Sequence, residues 1–371
     1  MKLLRSTFTW SCVVLIAATA FGHTYPDGSV STFDPGFFGV GITEPAVASY
    51  VFGVGAQGGK FNGAVGQING KEGAATQQPA LFNGGNSFFP LPRLNNAPNG
   101  GTSVGISDDG KIKVGFGPGA VYWDANNEIH ALPSDRQSAL ASAITPDGTW
   151  IAGEILTEVH DDGLVINEAC KWRPNGSAPL RLGIPIGFQS SIAYSISEGG
   201  EAVAGDASYF DGSTSPPTNK IRPFISISGQ ARLLESVGDT DTFAFGISDD
   251  SGPRWVVGQG GPLGAMQALM WIAASPPADS SQFFVLEGLG HNSGARAIRV
   301  LCKSPSGLEG RIVGENTDEV GATAFMWNLT RRPEGTIAGI LQNRYKKSVG
   351  LWQLTLAYAL SGDGYTVGGI G

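Results

Sequence analysis

Apolar positions in this chain gather into short runs that end repeatedly on a small apolar residue followed by glycine. The pair occurs at Val65-Gly66, Val114-Gly115, Ala152-Gly153, Ala204-Gly205, Val257-Gly258, Val313-Gly314 and Val367-Gly368. The glycines are 49, 38, 52, 53, 56 and 54 residues apart. A fixed period of this size marks a repeat architecture. Upstream of each pair stands a small residue, an aliphatic and often a hydroxyl, as in Gly105-Ile106-Ser107, Ala143-Ile144-Thr145, Ser195-Ile196-Ser197, Gly246-Ile247-Ser248 and Ala359-Leu360-Ser361. Between the two segments lie Asp109-Gly110, Asp147-Gly148, Gly199-Gly200 and Asp363-Gly364. Such dipeptides supply the positive φ of tight hairpins, so the flanking runs are expected to pair as strands.

A third run follows with an aromatic end: Ala80-Leu81-Phe82, Ala120 to Trp123, Ala169 to Trp172, Ala268 to Trp271 and Ala324 to Trp327, with Pro223-Phe224-Ile225 a degenerate version. A fourth is carried by Phe88 to Leu91, Leu180 to Leu182 and Phe283 to Leu286. Four short strands per unit of about 50 residues make the blade of a β-propeller. The expected fold is all-β: seven four-stranded blades spanning residues 21–371. The small residue of the first strand suits an innermost position, where backbones crowd around a channel. The tryptophans read as packing between blades. The last unit ends after its second strand, while Phe37-Phe38-Gly39-Val40 resembles a spare fourth strand and Ser29 to Phe33 a spare third. Closure of the last blade by these N-terminal strands is therefore expected, which removes exposed sheet edges.

The units resemble the extracellular HAF-repeat proteins of bacteria. Those repeats pair a small-Ile-Ser/Asn-x-x-Gly-x-Val-Val-Gly segment with an Ala-Phe-x-Trp strand. Gly246-Ile247-Ser248 with Val256-Val257-Gly258 and Ala268 to Trp271 carries the resemblance, as does Val313-Gly314 with Ala324 to Trp327. It covers roughly residues 47–371. Gln267 and Thr323 stand where a histidine often precedes Ala-Phe. The resemblance implies secretion and a propeller-like repeat, and brings no functional residues with it.

Composition narrows the classes further. Glycine accounts for 55 of 371 residues, charged residues for 15%, and the formal net charge is −8. The acidity argues against a nucleic-acid partner. Lys2 and Arg5, the apolar run Cys12 to Ala20 and the small residues Ala18-Thr19-Ala20 read as a secretory signal peptide over residues 1–20. No run is long enough for a comfortable membrane span. The mature chain is expected to be a secreted or extracytoplasmic monomer. Cys170 and Cys302 do not make a disulfide framework for a chain this long.

Candidate chemistry is sparse. Gly101-Thr102-Ser103-Val104-Gly105 has the letters of a nucleophile elbow, but leads into a strand rather than a helix. Ser142 and Ser191 lie at similar places. His23, His130, His160 and His291 have no zinc spacing. His160-Asp161-Asp162 reads as a solvated loop. Asp206, Asp211, Asp239, Asp241, Asp249 and Asp250 read as turn acids, with structural calcium the alternative. No catalytic, cofactor or metal residue is assigned, and no cofactor is expected. The expected function is a non-enzymatic binding or scaffold module for an extracellular glycan or surface protein. The alternative is a polysaccharide hydrolase or lyase at the channel mouth, with the insertions at 154–168 and 206–221 the place to look. Titratable groups clustered at one channel mouth would favour the enzyme, and a smooth channel of small residues the binder.

Overall fold

The structure, a computed structural model, describes residues 12–16, 23–24, 30–31, 37–40, 46–57, 60–70, 77–83, 89–94, 100–134, 138–159, 165–176, 178–211, 218–249, 254–273, 281–287, 289, 292–304, 307–318, 321–331, 337–344, 356–364 and 366–370. It is an all-β propeller. Six blades are each built from four consecutive antiparallel strands. Blade 1 comprises Ala46–Gln57, Lys60–Gly70, Gln77–Phe82 and Phe89–Pro90. Blade 2 comprises Thr102–Ile106, Lys113–Phe116, Ala120–Trp123 and Ile129–Ala131. Blade 3 comprises Ala139–Ile144, Ile151–Val159, Val165–Trp172 and Leu180–Arg181. Blade 4 comprises Ser190–Ile196, Ala202–Asp211, Thr218–Ile227 and Gln230–Leu233. Blade 5 comprises Thr242–Asp249, Arg254–Gly260, Gln267–Ala273 and Ser281–Val285. Blade 6 comprises Ser293–Ser304, Gly307–Asp318, Gly321–Arg331 and Ile337–Arg344.

The remaining four-stranded sheet is composite, so the expectation of seven blades, the last closed by N-terminal strands, is corrected to six contiguous blades and one mixed sheet. Its inner hairpin is Leu356–Leu360 with Thr366–Ile370. Its third strand is Cys12–Ile16 and its outer strand Phe37–Val40. The outer strand is the one the sequence pattern proposes; the third is not. Val30–Ser31, inside the expected third strand, pairs with His23–Thr24 instead. Cys12–Ile16 is wholly apolar and has a hydrogen-bonded neighbour on each side.

The first strands form the inner ring. Each contacts the first strand of the next sheet, and Leu356–Leu360 contacts Ala46–Gln57 to complete the circuit. Apolar packing lies between successive blades. Trp172 of blade 3, for instance, packs with Val114, Ala120 and Leu132 of the blade 2 unit. Three indoles also donate to a carbonyl beyond the preceding blade's outer strand, Trp123 to Pro92, Trp172 to Pro133 and Trp271 to Glu235, each at 2.8 Å. The hairpin turns are held by their own side chains. Ser107 Oγ donates to Asp109 and accepts from Ile112 N–H, and Gly110 adopts φ 75°. Thr145 with Asp147 and Ser361 with Asp363 repeat the arrangement.

Candidate functional site

Every inner strand carries a β-bulge at one level. The register slips between Val51 and Gly53, Ala141 and Ala143, Ala193 and Ser195, Ala244 and Gly246, Ala295 and Ala297, and Ala357 and Ala359. In blade 2 the slip skips Val104. A bulge leaves one residue unpaired and re-aims its side chain. Here the skipped residues all turn to the propeller axis and line one cavity of about 140 Å³. Below them the cavity is lined by the aliphatic residues of the repeat, among them Ile106, Ile196 and Ile298.

The bulge also explains the glycine of the Val-Gly pair in blades 2 to 6. A Cβ on Gly153, Gly205, Gly258 or Gly314 would run into the first-strand carbonyl of Leu140, Ile192, Phe243 or Gly294. In the composite sheet the glycine in this place is Gly369, against Leu356, not Gly368. The glycines of the inner strand meet the next strand directly: a Cβ on Gly53 would stand 2.9 Å from Gly105 Cα.

The bulged residues are unequal around the ring. Tyr194, Phe245, Arg296, Tyr358 and Phe52 form a continuous arc. Tyr194 and Phe245 have ring centroids 6.1 Å apart, and Phe52 and Tyr358 5.8 Å apart. The Arg296 guanidinium stands between, 4.1 Å from the Phe245 centroid and 5.9 Å from that of Tyr358. Its Nε donates to both carboxylate oxygens of Glu315 at 2.9 Å. The smaller Val104 and Ser142 complete the lining on the side of blades 2 and 3.

A second set of residues supports this ring. The position after the Val-Gly glycine is Gln67, Glu154, Asp206, Gln259 and Glu315 in blades 1 and 3 to 6. Gln67 accepts from Thr102 Oγ1 of the next blade at 2.8 Å. Asp206 accepts from Ala244 N–H of the next blade at 3.0 Å and from the Tyr194 hydroxyl. Burial pushes its carboxyl up to about 8, the Ala244 bond opposing, and burial likewise holds the Tyr194 hydroxyl well above its ordinary value. Burial pushes Glu154 up to about 7, with Asn167 its hydrogen-bond partner. Its Oε2 is buried without a partner.

The hairpin end of the channel is polar too. Arg299 Nη1 meets Glu198 Oε1 at 2.8 Å, joining blade 6 to blade 4 across blade 5. Asp108 accepts from Gly362 N–H at 3.0 Å and from Ala56 N–H, and burial lifts it to about 6.

The residues singled out from sequence mostly serve structure. Ser103 is fully buried and its Oγ bonds the backbone of Gly66 and Ala80 in blade 1. Ser191 accepts from Ala169 N–H. Ser142, by contrast, lines the channel. Asp206 is not a turn acid; it lies in a strand because its hairpin extends to Asp211 and Thr218. Asp239 pairs with Lys220 and Arg222, and Asp241 accepts from Ile221 N–H. The described parts of the insertions are hairpin extensions of blades 3 and 4, and none of their described residues lines the cavity. His130 stacks on Tyr122 at 4.8 Å and lies 3.4 Å from Asp124 Oδ2 on the outer strand of blade 2. The side-chain donor atoms of Asp124, Glu128 and His130 lie within 4.8 Å of one another, a spacing that could hold a metal ion. His160, His291 and Asp250 lie outside the described residues. Apart from Ser142, the sequence reading does not single out the bulged residues, although each stands directly before the small residue that aligns the repeats.

Among the described residues no helix is long and apolar enough to cross a membrane. No family model and no curated protein matches the chain. A solved structure described as TolB from Agrobacterium tumefaciens is similar over 71% of this chain and 87% of that one, at 14% identity and a TM-score of 0.40.

Proposed function

We propose that this chain is an exported, non-enzymatic binding module whose ligand enters the central channel at the arc of aromatic rings. The convergence of one bulged residue per inner strand on a single cavity carries this reading. A concave site walled by aromatic groups, with a few placed polar groups, is the usual form of a ligand pocket. Extracellular glycans and surface proteins are the partners considered; export would remove residues 1–20, and with them Cys12–Ile16, so the mature composite sheet would lack the third strand described above. The intact mass of the protein recovered outside the cell tests that removal.

A thermal-shift screen of polysaccharides, sugars and small cations tests the binding, since a ligand of the native state raises Tm by mass action. The variant Phe245→Ala should bind any ligand so found at least tenfold more weakly. A ligand unaffected by that change would place binding elsewhere.

One observation favours a polysaccharide hydrolase or lyase. Burial lifts Glu154 and Asp206, the latter bonded to the channel residue Tyr194, to about 7 and about 8, within range for proton transfer near neutral pH. Product release from a polysaccharide, lost in Glu154→Gln, would support it; intact polymer would dismiss it.

A further inference from the structure

Among the described residues that line the channel cavity, the charged ones are two arginines of blade 6, Arg296 and Arg299, and none is a carboxylate. This runs against the chain as a whole, whose formal net charge is −8. Each arginine is held by an acid that stands outside the lining. Glu315 accepts from Nε and Nη2 of Arg296, and Glu198 accepts from Nη1 of Arg299. A guanidinium carries five N–H donors and no acceptor, so one carboxylate does not exhaust it. Among the described residues Arg296 Nη1 has no hydrogen-bond partner, and it is not buried. The group is fixed on two other sides, by Glu315 along one edge and by the Phe245 ring, 4.1 Å away, over one face. Its free edge is therefore a preorganised donor in the cavity wall.

We propose that the channel binds a ring-bearing organic carboxylate, with the carboxylate on the free edge of Arg296 and the ring against the aromatic arc. This rests on the channel being the binding site. An ionised carboxylate only accepts, so it meets this edge with every contact matched, through charge-assisted bonds. A carboxamide of the same shape turns an NH₂ group toward the same donors. Glu315 and Glu198 balance the arginines from outside the lining, so a ligand in the cavity meets the donors first. The cavity of about 140 Å³ takes one six-membered ring; a cavity of about 150 Å³ admits benzene. The ring is that of an aromatic acid or of a sugar acid, and the probes below separate the two.

The test is calorimetric titration at neutral pH with two acid and amide pairs, benzoate with benzamide and glucuronate with glucuronamide. Wild type is expected to bind one acid at least tenfold more tightly than its amide, the difference that charge-assisted hydrogen bonds supply. The pair that shows the preference names the ring. Arg296→Lys keeps a cation for Glu315, removes the second donor edge, and should erase the preference. Phe245→Ala should weaken acid and amide alike. Equal binding of acid and amide to wild type in both pairs overturns the proposal, whether or not the lysine variant folds. So does a preference that survives Arg296→Lys, or inorganic phosphate binding as tightly as the preferred acid. If another ligand binds wild type and is lost in Phe245→Ala while neither acid binds, the channel reading stands and the carboxylate assignment falls. If no ligand binds in the channel at all, both fall.

Discussion

Arg296 and Glu315 neutralise each other at a wall made mostly of aromatic, aliphatic and small residues. The guanidinium face lies on Phe245 while its edge grips both carboxylate oxygens. Glu315 is 8% exposed, so removing the arginine strands a buried charge. Arg296→Ala should therefore destabilise the fold by about 3 kcal/mol, the lower end for breaking a buried pair. The double variant Arg296→Met with Glu315→Gln should recover most of the loss. Denaturant midpoints of wild type, Arg296→Met, Glu315→Gln and the double variant form the double-mutant cycle. A single-variant loss below about 0.5 kcal/mol, as for an exposed pair, would show that the pair is solvated.

The acids next along the ring make stability depend on pH in the opposite sense to ordinary carboxylates. Asp206 keeps its proton up to about 8 and Glu154 up to about 7, against 3.8 and 4.5 ordinarily. From about pH 4 upward the unfolded chain gives up these protons while the folded chain retains them. Unfolding then releases protons, so stability falls as pH rises through that window and levels off above about 8. Asp206→Asn keeps an acceptor for Ala244 N–H and removes the ionisation. Its Tm should fall less than that of wild type between pH 5 and pH 8. Parallel curves for the two proteins would contradict the assignment.

How far the sequence disclosed this molecule depends on the range of the interactions involved. Hairpin turns such as Ser107-Asp108-Asp109-Gly110 are written in local chemistry, because hydroxyl, carboxylate and positive-φ glycine act within five residues. The Trp strands and the aliphatic ring were legible as a repeat. The channel lining was not. A bulge is a relation between two strands, and residues as different as Val104, Arg296 and Tyr358 occupy it, so no residue type marks the position. Its indirect mark is the invariant glycine opposite, which signals a close approach without saying which neighbour turns inward. The third strand of the composite sheet, Cys12–Ile16, was hidden for another reason: one apolar run serves equally as a leader and as a β-strand.

The indole contacts between blades predict a graded loss. Trp172 is fully buried and its N–H donates to Pro133 O. Trp172→Phe keeps an aromatic ring but leaves that carbonyl unpaired and a small void. The expected cost is about 1–3 kcal/mol for the lost partner, read as a lower urea midpoint. Trp172→Ala should cost more, about 3–5 kcal/mol. A Trp172→Phe protein as stable as wild type would mean that the bond between blades adds nothing to the packing.

The glycine opposite each bulge gives the sharpest test of the ring geometry. Gly153→Ala would drive a methyl group into Leu140 O, and backbone on both strands must shift to admit it. Overpacking of this kind costs about 1–3 kcal/mol. It should also widen the bulge at Ser142 and so disturb the channel, not only the blade. Gly119→Ala is the matched control, since nothing lies within 4 Å of the added carbon. That change should be within about 0.5 kcal/mol of neutral. Urea midpoints of both variants, with binding of any channel ligand measured alongside, separate the two effects. If Gly153→Ala were as stable as Gly119→Ala, the repeat's glycine would owe its place to something other than the bulge.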